Sequence, residues 1–232
     1  MKILILSDIH ANIEALQTIM EEYDYLICLG DLVDYGPSPR ECIDFMKKNA
    51  YAIVRGNHDN AVAFGADCKC SEAYKPMSVK TRELMREILG QDEISYLSSL
   101  PLNTTIELSG ARFFLAHATP TENLFKYLPP DSPDYDWQEE IKGLDADFVL
   151  LGHTHLSLIK KIGKTTVINP GSVGQSKDVP GVASYAVWND GETEIKRVEY
   201  DINKTVEKIL SSPLEDYIKK SLIQVLRYGS PL

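Results

Sequence analysis

Lys2-Ile3-Leu4-Ile5-Leu6-Ser7-Asp8-Ile9-His10 opens the 232-residue chain, and its reading decides the architecture. Lys2 to Ser7 is a continuous apolar run, as in a strand buried on both faces. It ends on Asp8 and His10, alternate residues that point into one site after a slight turn of the chain. The same grammar recurs downstream. Asn12 to Glu22 has helical apolar spacing (Ile13, Leu16, Ile19, Met20), and Tyr25 to Leu29 reads as a second buried strand. Pro39 to Lys48 is a helix with proline near its start, and Tyr51 to Val54 is a third strand. Each strand runs into a polar motif: Ser7-Asp8, Gly30-Asp31 and Arg55-Gly56-Asn57. Ligands of open α/β sheets gather outside the carboxyl ends of the strands, so motifs spread over about fifty residues meet at one edge.

The rest of the chain completes an α/β layout. Residues 60 to 100 read as mainly helical, over Val79 to Leu89 and Asp92 to Leu100. Leu102 to Leu108 and Arg112 to Ala116 flank Ser109-Gly110, a hairpin signal. A proline-rich acidic stretch runs from Pro120 to Asp147. Strands are expected at Phe148 to Leu151, Leu158 to Ile162, Thr165 to Ile168, Ser184 to Trp188 and Glu194 to Tyr200. Two amphipathic helices, broken at Ser212-Pro213, fill Ile202 to Tyr228 and either pack on the domain or form a dimer contact. No internal repeat or low-complexity linker interrupts the chain, so residues 1–232 are expected to form one domain: two packed sheets with helices outside.

Composition narrows the function. With 24 basic and 34 acidic residues the net charge is −10, which argues against an extended nucleic-acid surface. A small phosphorylated substrate is compatible, because bound metal dominates a local potential. No apolar run reaches the ~18 residues of a membrane span, and the start lacks a signal-peptide pattern, so the chain reads as cytoplasmic. The four cysteines, Cys28, Cys42, Cys68 and Cys70, show no secreted framework and read as reduced thiols.

All five histidines fall in short polar motifs: Asp8-Ile9-His10, Gly56-Asn57-His58-Asp59, His117 and Gly152-His153-Thr154-His155. Gly30-Asp31-Leu32-Val33-Asp34 adds two carboxylates. Asp31 has two oxygens with which to bridge two ions, and Asn57 offers a neutral amide oxygen. Mixed carboxylate, amide and imidazole donors without thiolate favour manganese, iron, cobalt, nickel or zinc over structural zinc or calcium.

Taken in order, these motifs resemble the calcineurin-like metallophosphoesterase superfamily. Leu29-Gly30-Asp31-Leu32-Val33-Asp34-Tyr35-Gly36-Pro37 and Asn169-Pro170-Gly171-Ser172-Val173-Gly174-Gln175 resemble its small prokaryotic members. The resemblance implies a four-layer α/β/β/α sandwich of two mixed sheets flanked by helices. It also implies two divalent ions, manganese foremost. Asp8, His10, Asp31 and His155 would hold one ion and Asp31, Asn57, His117 and His153 the other. In-line attack by a bridging hydroxide on a phosphate ester would follow, on a phosphodiester or (di)nucleotide. Two dications, two aspartates and one hydroxide leave a net charge of about +1, which attracts phosphate.

His58 is the histidine without a metal role; it is expected to protonate the leaving oxygen or stabilise transition-state charge. Asp34 is expected to fix its tautomer, with a helix cap as the plainer reading. Asn12 either contacts phosphate or caps a helix, and Arg55 either contacts phosphate or braces its loop. Asp59 reads as a helix cap, Asn169 to Ser172 as a structural turn, and Tyr35-Gly36-Pro37 as a tight connection. Phe64 to Met77 and Pro120 to Trp137 are the candidate pocket walls. A protein phosphatase and a non-catalytic scaffold are the alternative functions.

Overall fold

The computed structural model describes residues 1–231. One sheet has strand order β10-β9-β1-β2-β3, from β1 (Lys2–Leu6), β2 (Tyr25–Cys28), β3 (Ala52–Ile53), β9 (Val182–Asn189) and β10 (Glu192–Glu199). The other has order β4-β5-β6-β8-β7, from β4 (Asn103–Leu108), β5 (Ala111–Ala116), β6 (Phe148–Leu150), β7 (Ser157–Ile162) and β8 (Thr165–Pro170). Both sheets are mixed. β1, β2 and β3 are parallel in the first, and β5, β6 and β8 in the second. Parallel neighbours carry their carboxyl ends on one side.

Alternation along β1 explains the layers. Ile3 and Ile5 face inward with Ile27 and Trp188, against Phe113, Leu115, Leu150 and Ile168 of the second sheet. Leu4 and Leu6 point the other way, onto the helices. These are α1 (Ile13–Gln17), α2 (Pro39–Asn49), α3 (Asn57–Phe64), α4 (Lys75–Ile88) and α5 (Gln91–Ser99). A strand buried on both faces must read as an unbroken apolar run, and this one does. The fourth layer is thinner: α6 (Asp134–Ile141), inside the acidic stretch, sets Trp137 against Val149 and Val167. The expected α/β/β/α sandwich is therefore present, with five helices outside one sheet and one outside the other.

The tail helices α7 (Ile202–Ser211) and α8 (Asp216–Tyr228) pack Ile209, Ile218 and Leu222 around Tyr35 and Met77. No helix among the described residues is long and apolar enough to cross a membrane. The first helix is a correction. The apolar spacing predicts a helix to Glu22, but α1 ends at Gln17 and Met20 is 88% exposed. Glu21 is instead drawn across the sheet edge by Lys2 and Lys196.

Candidate metal centre

Six strand ends converge. Asp8 follows β1, Asp31 follows β2, and Asn57 follows β3 and opens α3. His117 follows β5, His153 and His155 follow β6, and the turn after β8 closes over them. Backbone hydrogen bonds stitch the loops: Asp8 N donates to Gly30 O at 3.0 Å, His10 N to Asp31 O at 2.9 Å, and Gly152 N to His117 O at 2.7 Å. Ser172 Oγ donates to Asp8 O, and Asn169 Nδ2 to Gly152 O. The Asn169 turn is thus structural, as expected.

These loops are bent hard. Among the described residues eleven non-glycine residues have positive φ, and six are Asp8, His10, Asp31, Asp34, His153 and His155. Left-handed backbone is costly for side-chain-bearing residues and persists where the surroundings over-determine it. Close approach is the second constraint. A Cβ on Gly152 would lie 1.9 Å from Ser7 Oγ and 2.8 Å from Asp8 Oδ2. Gly152→Ala is therefore expected to destabilise the protein by about 1–3 kcal/mol through overpacking. It should also push Asp8 out of register and lower metal stoichiometry, checked by thermal melting and elemental analysis.

The donor atoms are aimed inward by the backbone. His10 Nδ1 faces Val33 O at 3.2 Å, His117 Nδ1 faces Leu29 O at 2.8 Å, and His155 Nδ1 faces Gln175 O at 2.8 Å. A carbonyl accepts only, so each Nδ1 carries a proton and Nε2 is the ring nitrogen left to face the centre. His10 Nε2 and His155 Nε2 sit 3.1 Å apart. Asn57 Nδ2 donates to Cys68 O, which turns Asn57 Oδ1 toward His117 Nε2 at 2.9 Å and His153 Nδ1 at 3.1 Å. Asp8 Oδ1 is buried without a hydrogen-bond partner, 3.2 Å from His155 Nε2. Asp31 Oδ1 accepts from His58 N, while Oδ2 lies 3.2 Å from His117 Nε2 and 3.8 Å from His10 Nε2. The two donor groups therefore meet at one carboxylate oxygen.

Asp8, His10 and His155 have donor atoms within 4.8 Å of one another, and so do Asp8, Asp31 and His117. Converging lone pairs repel unless a cation or proton lies between them. A buried donor set of this chemistry fits divalent metal.

Protonation follows from the same crowding. Burial pushes Asp8 and Asp31 up, but the neighbouring histidines outweigh it and hold both well below the carboxylate range. Burial lowers His10 to about 3, and burial with the nearby His117 charge does the same to His153. Burial also pulls on His117 and His58, yet the Asp31 charge, joined at His58 by the Asp34 hydrogen bond, raises each to about 9.

His58 Nδ1 meets Asp34 Oδ2 at 2.6 Å, leaving Nε2 for the pocket that the ring lines. Asp34 caps no helix. It also accepts from Tyr35 N, Ser78 Oγ and Thr81 Oγ1. Asp59 accepts from Gly56 N, Asp31 N and Leu32 N, closing α3 and clamping the Asp31 loop.

Two expected phosphate contacts are corrected. Asn12 Oδ1 caps α1 through Ala15 N, and its Nδ2 donates to Gly174 O and Tyr200 Oη. Its amide is satisfied away from the pocket. Arg55 donates to Ser98 O, and its guanidinium lies over Phe64, so it braces α3 against α5. Tyr35 is a third revision: its ring packs against His10 and His58 at 5.0 and 4.8 Å.

A pocket of about 440 Å³ opens onto Asp31, Asn57, His58, His153 and His155. Its walls come from the two expected segments, with Lys69, Cys70 and Tyr74 from one and Phe125 and Tyr127 from the other. Gln175 and Lys177, just past the Asn169 turn, complete it and were not anticipated.

The sequence profile of the calcineurin-like phosphoesterase superfamily domain matches residues 1–190. The chain belongs to this superfamily. An uncharacterized protein of Methanocaldococcus jannaschii is 30% identical, over 95% of this chain and 96% of its own length. A metallophosphoesterase from Sphaerobacter thermophilus has a similar crystal structure (TM-score 0.82, 28% identity, covering 97% of this chain and 98% of that one). A hypothetical protein from Pyrococcus horikoshii OT3 shares the fold (TM-score 0.84, 20% identity, 99% of both chains). The superfamily's chemistry is phosphoester hydrolysis, and the converging Asp and His donors place this chain among its metal-site-bearing members.

Proposed function

We propose that this phosphoesterase hydrolyses small phosphodiesters or nucleotides, using two divalent transition-metal ions with manganese foremost. Asp8, His10, Asp31 and His155 would hold one ion, and Asp31, Asn57, His117 and His153 the other, with Asp31 common to both. Such ions would supply Lewis acidity for displacement at phosphorus. The protein's own groups do the rest. His58, held by Asp34 through Nδ1, donates from Nε2 to the leaving oxygen. Tyr35 packs beside that ring and keeps it from tipping away. The backbone carbonyls behind His10, His117 and His155 keep their donors aimed without rearrangement.

The pocket carries the reading. Its volume of about 440 Å³ exceeds what one phosphate fills, and Tyr74, Phe125 and Tyr127 give it aromatic sides for the second substituent of a diester. A panel on manganese-reconstituted protein tests this, with an aryl monoester, an aryl diester and a dinucleoside tetraphosphate. Higher kcat/KM on the diester or the tetraphosphate than on the monoester is expected. Turnover of the monoester alone would overturn it.

A further inference from the structure

Two ammonium groups enter the pocket without carboxylate partners. Lys177 Nζ lies over the rings of Tyr74 and Tyr127, at 5.2 and 5.8 Å from their centroids, and Lys69 Nζ lies 4.2 Å from that of Phe125. Among the described residues neither ammonium pairs with Asp or Glu, although the chain carries 34 such residues and a net charge of −10. An aromatic face positions a cation without neutralising it, whereas a salt bridge would cancel its charge. Lys177 is also anchored beside the metal ligands: its backbone N donates to His155 O at 3.3 Å. Tyr74 is fixed by its hydroxyl donating to Gly229 O at 3.1 Å. Lysines held this way keep their N–H donors free for an incoming anion, and at Lys177 the nearby Asp8 charge opposes the lowering that burial imposes.

We propose that Lys69 and Lys177 form a second anion subsite, which takes the non-reacting phosphate of a substrate with a phosphoanhydride chain. The inference rests on the phosphoesterase reading above and sharpens it. The metal centre binds the phosphoryl group under attack, and the lysines select substrates that carry a further phosphate on the pocket side. A simple diester has one charge and nothing to offer them. A nucleoside diphosphate or longer chain does.

The test compares AMP with α,β-methylene-ADP, which share the nucleoside and differ by one non-hydrolysable phosphonate. Dissociation constants are measured by calorimetry on manganese-loaded protein, so no turnover is required. The wild type is expected to prefer the diphosphonate. Because phosphonate oxygens can also chelate metal, the decisive quantity is how that preference changes in variants. Lys177→Gln should cut it by about tenfold, the usual worth of one charge-assisted hydrogen bond, and the Lys69→Gln/Lys177→Gln double variant should cut it further. Lys177→Arg, which restores a charged donor, should recover most of it. An unchanged preference in the Gln variants overturns the lysine subsite and leaves the phosphoesterase reading standing. Failure of both ligands to bind the loaded wild type overturns both.

Discussion

A His58→Ala protein with its metals in place is expected to lose about 10²–10⁴ in kcat on substrates with alkoxide leaving groups, the usual worth of a positioned proton donor. The expectation follows from the division of the ring. Asp34 Oδ2 takes Nδ1 at 2.6 Å, so Nε2 alone is available to the pocket. Asp31 and Asp34 together hold the ring toward its protonated form, with burial opposing them. A donor of this kind matters most when the departing oxygen is a strong base. The defect should therefore shrink sharply on a p-nitrophenyl ester, whose phenolate leaves without help. Collapse of the fold would not mimic this pattern, because the loss would then be equal for both leaving groups. The fold is also expected to hold: without His58, the Asp34 carboxylate still accepts from Tyr35 N, Ser78 Oγ and Thr81 Oγ1. Steady-state kinetics on an alkyl and an aryl diester, with metal content measured on the same samples, decide the matter. Near-normal turnover of the alkyl diester would remove His58 from the proton-donor role.

The sequence shows which residues meet at the centre because strand order and strand ends were both legible in it. β1 is apolar from Ile3 to Leu6, as a doubly buried strand must be, and Asp8, Asp31 and Asn57 each fall just past a strand. How those residues are held was not legible. Positive φ at Asp8, Asp31 and His153 is imposed by the opposing loops, which no local pattern shows. Asn12 and Arg55 carry side chains suited to phosphate, and only three-dimensional packing shows them engaged elsewhere, Asn12 on Ala15 N and Arg55 on Ser98 O. Lys177 was hidden for the opposite reason. A lysine two residues beyond a glycine-rich turn reads as solvent-facing, and its aromatic partners Tyr74 and Tyr127 are about a hundred and about fifty positions away, well outside any local pattern. The premature end of α1 belongs with these cases, because the ion pairs of Glu21 are made to strands distant in sequence.

Chelation of the metals is expected to abolish turnover and to reshape the dependence of stability on pH. In the metal-free protein His58 and His117 are raised to about 9 from an ordinary 6.5. Their stabilising contribution is fully present below 6.5 and is lost as pH rises through 9, because the folded state then gives up protons that the unfolded state released earlier. His10 and His153 work in reverse. Lowered to about 3, they stay neutral in the fold while the unfolded chain takes up protons below 6.5, so acid removes stability down to about pH 3. The metal-free protein should accordingly melt highest near neutral pH and fall off on both sides. Metal reverses the alkaline limb. An ion taking His117 Nε2 must displace its proton, so apparent affinity should climb by up to about tenfold per pH unit toward 9. Bound metal at a thousandfold excess over its dissociation constant adds about 4 kcal/mol to the folded state. The rise in melting temperature on adding manganese should therefore be larger at pH 8.5 than at 6.5. Melting curves at both values, with and without the ion, measure this directly. An equal rise at the two would mean that His117 holds no proton for the metal to displace.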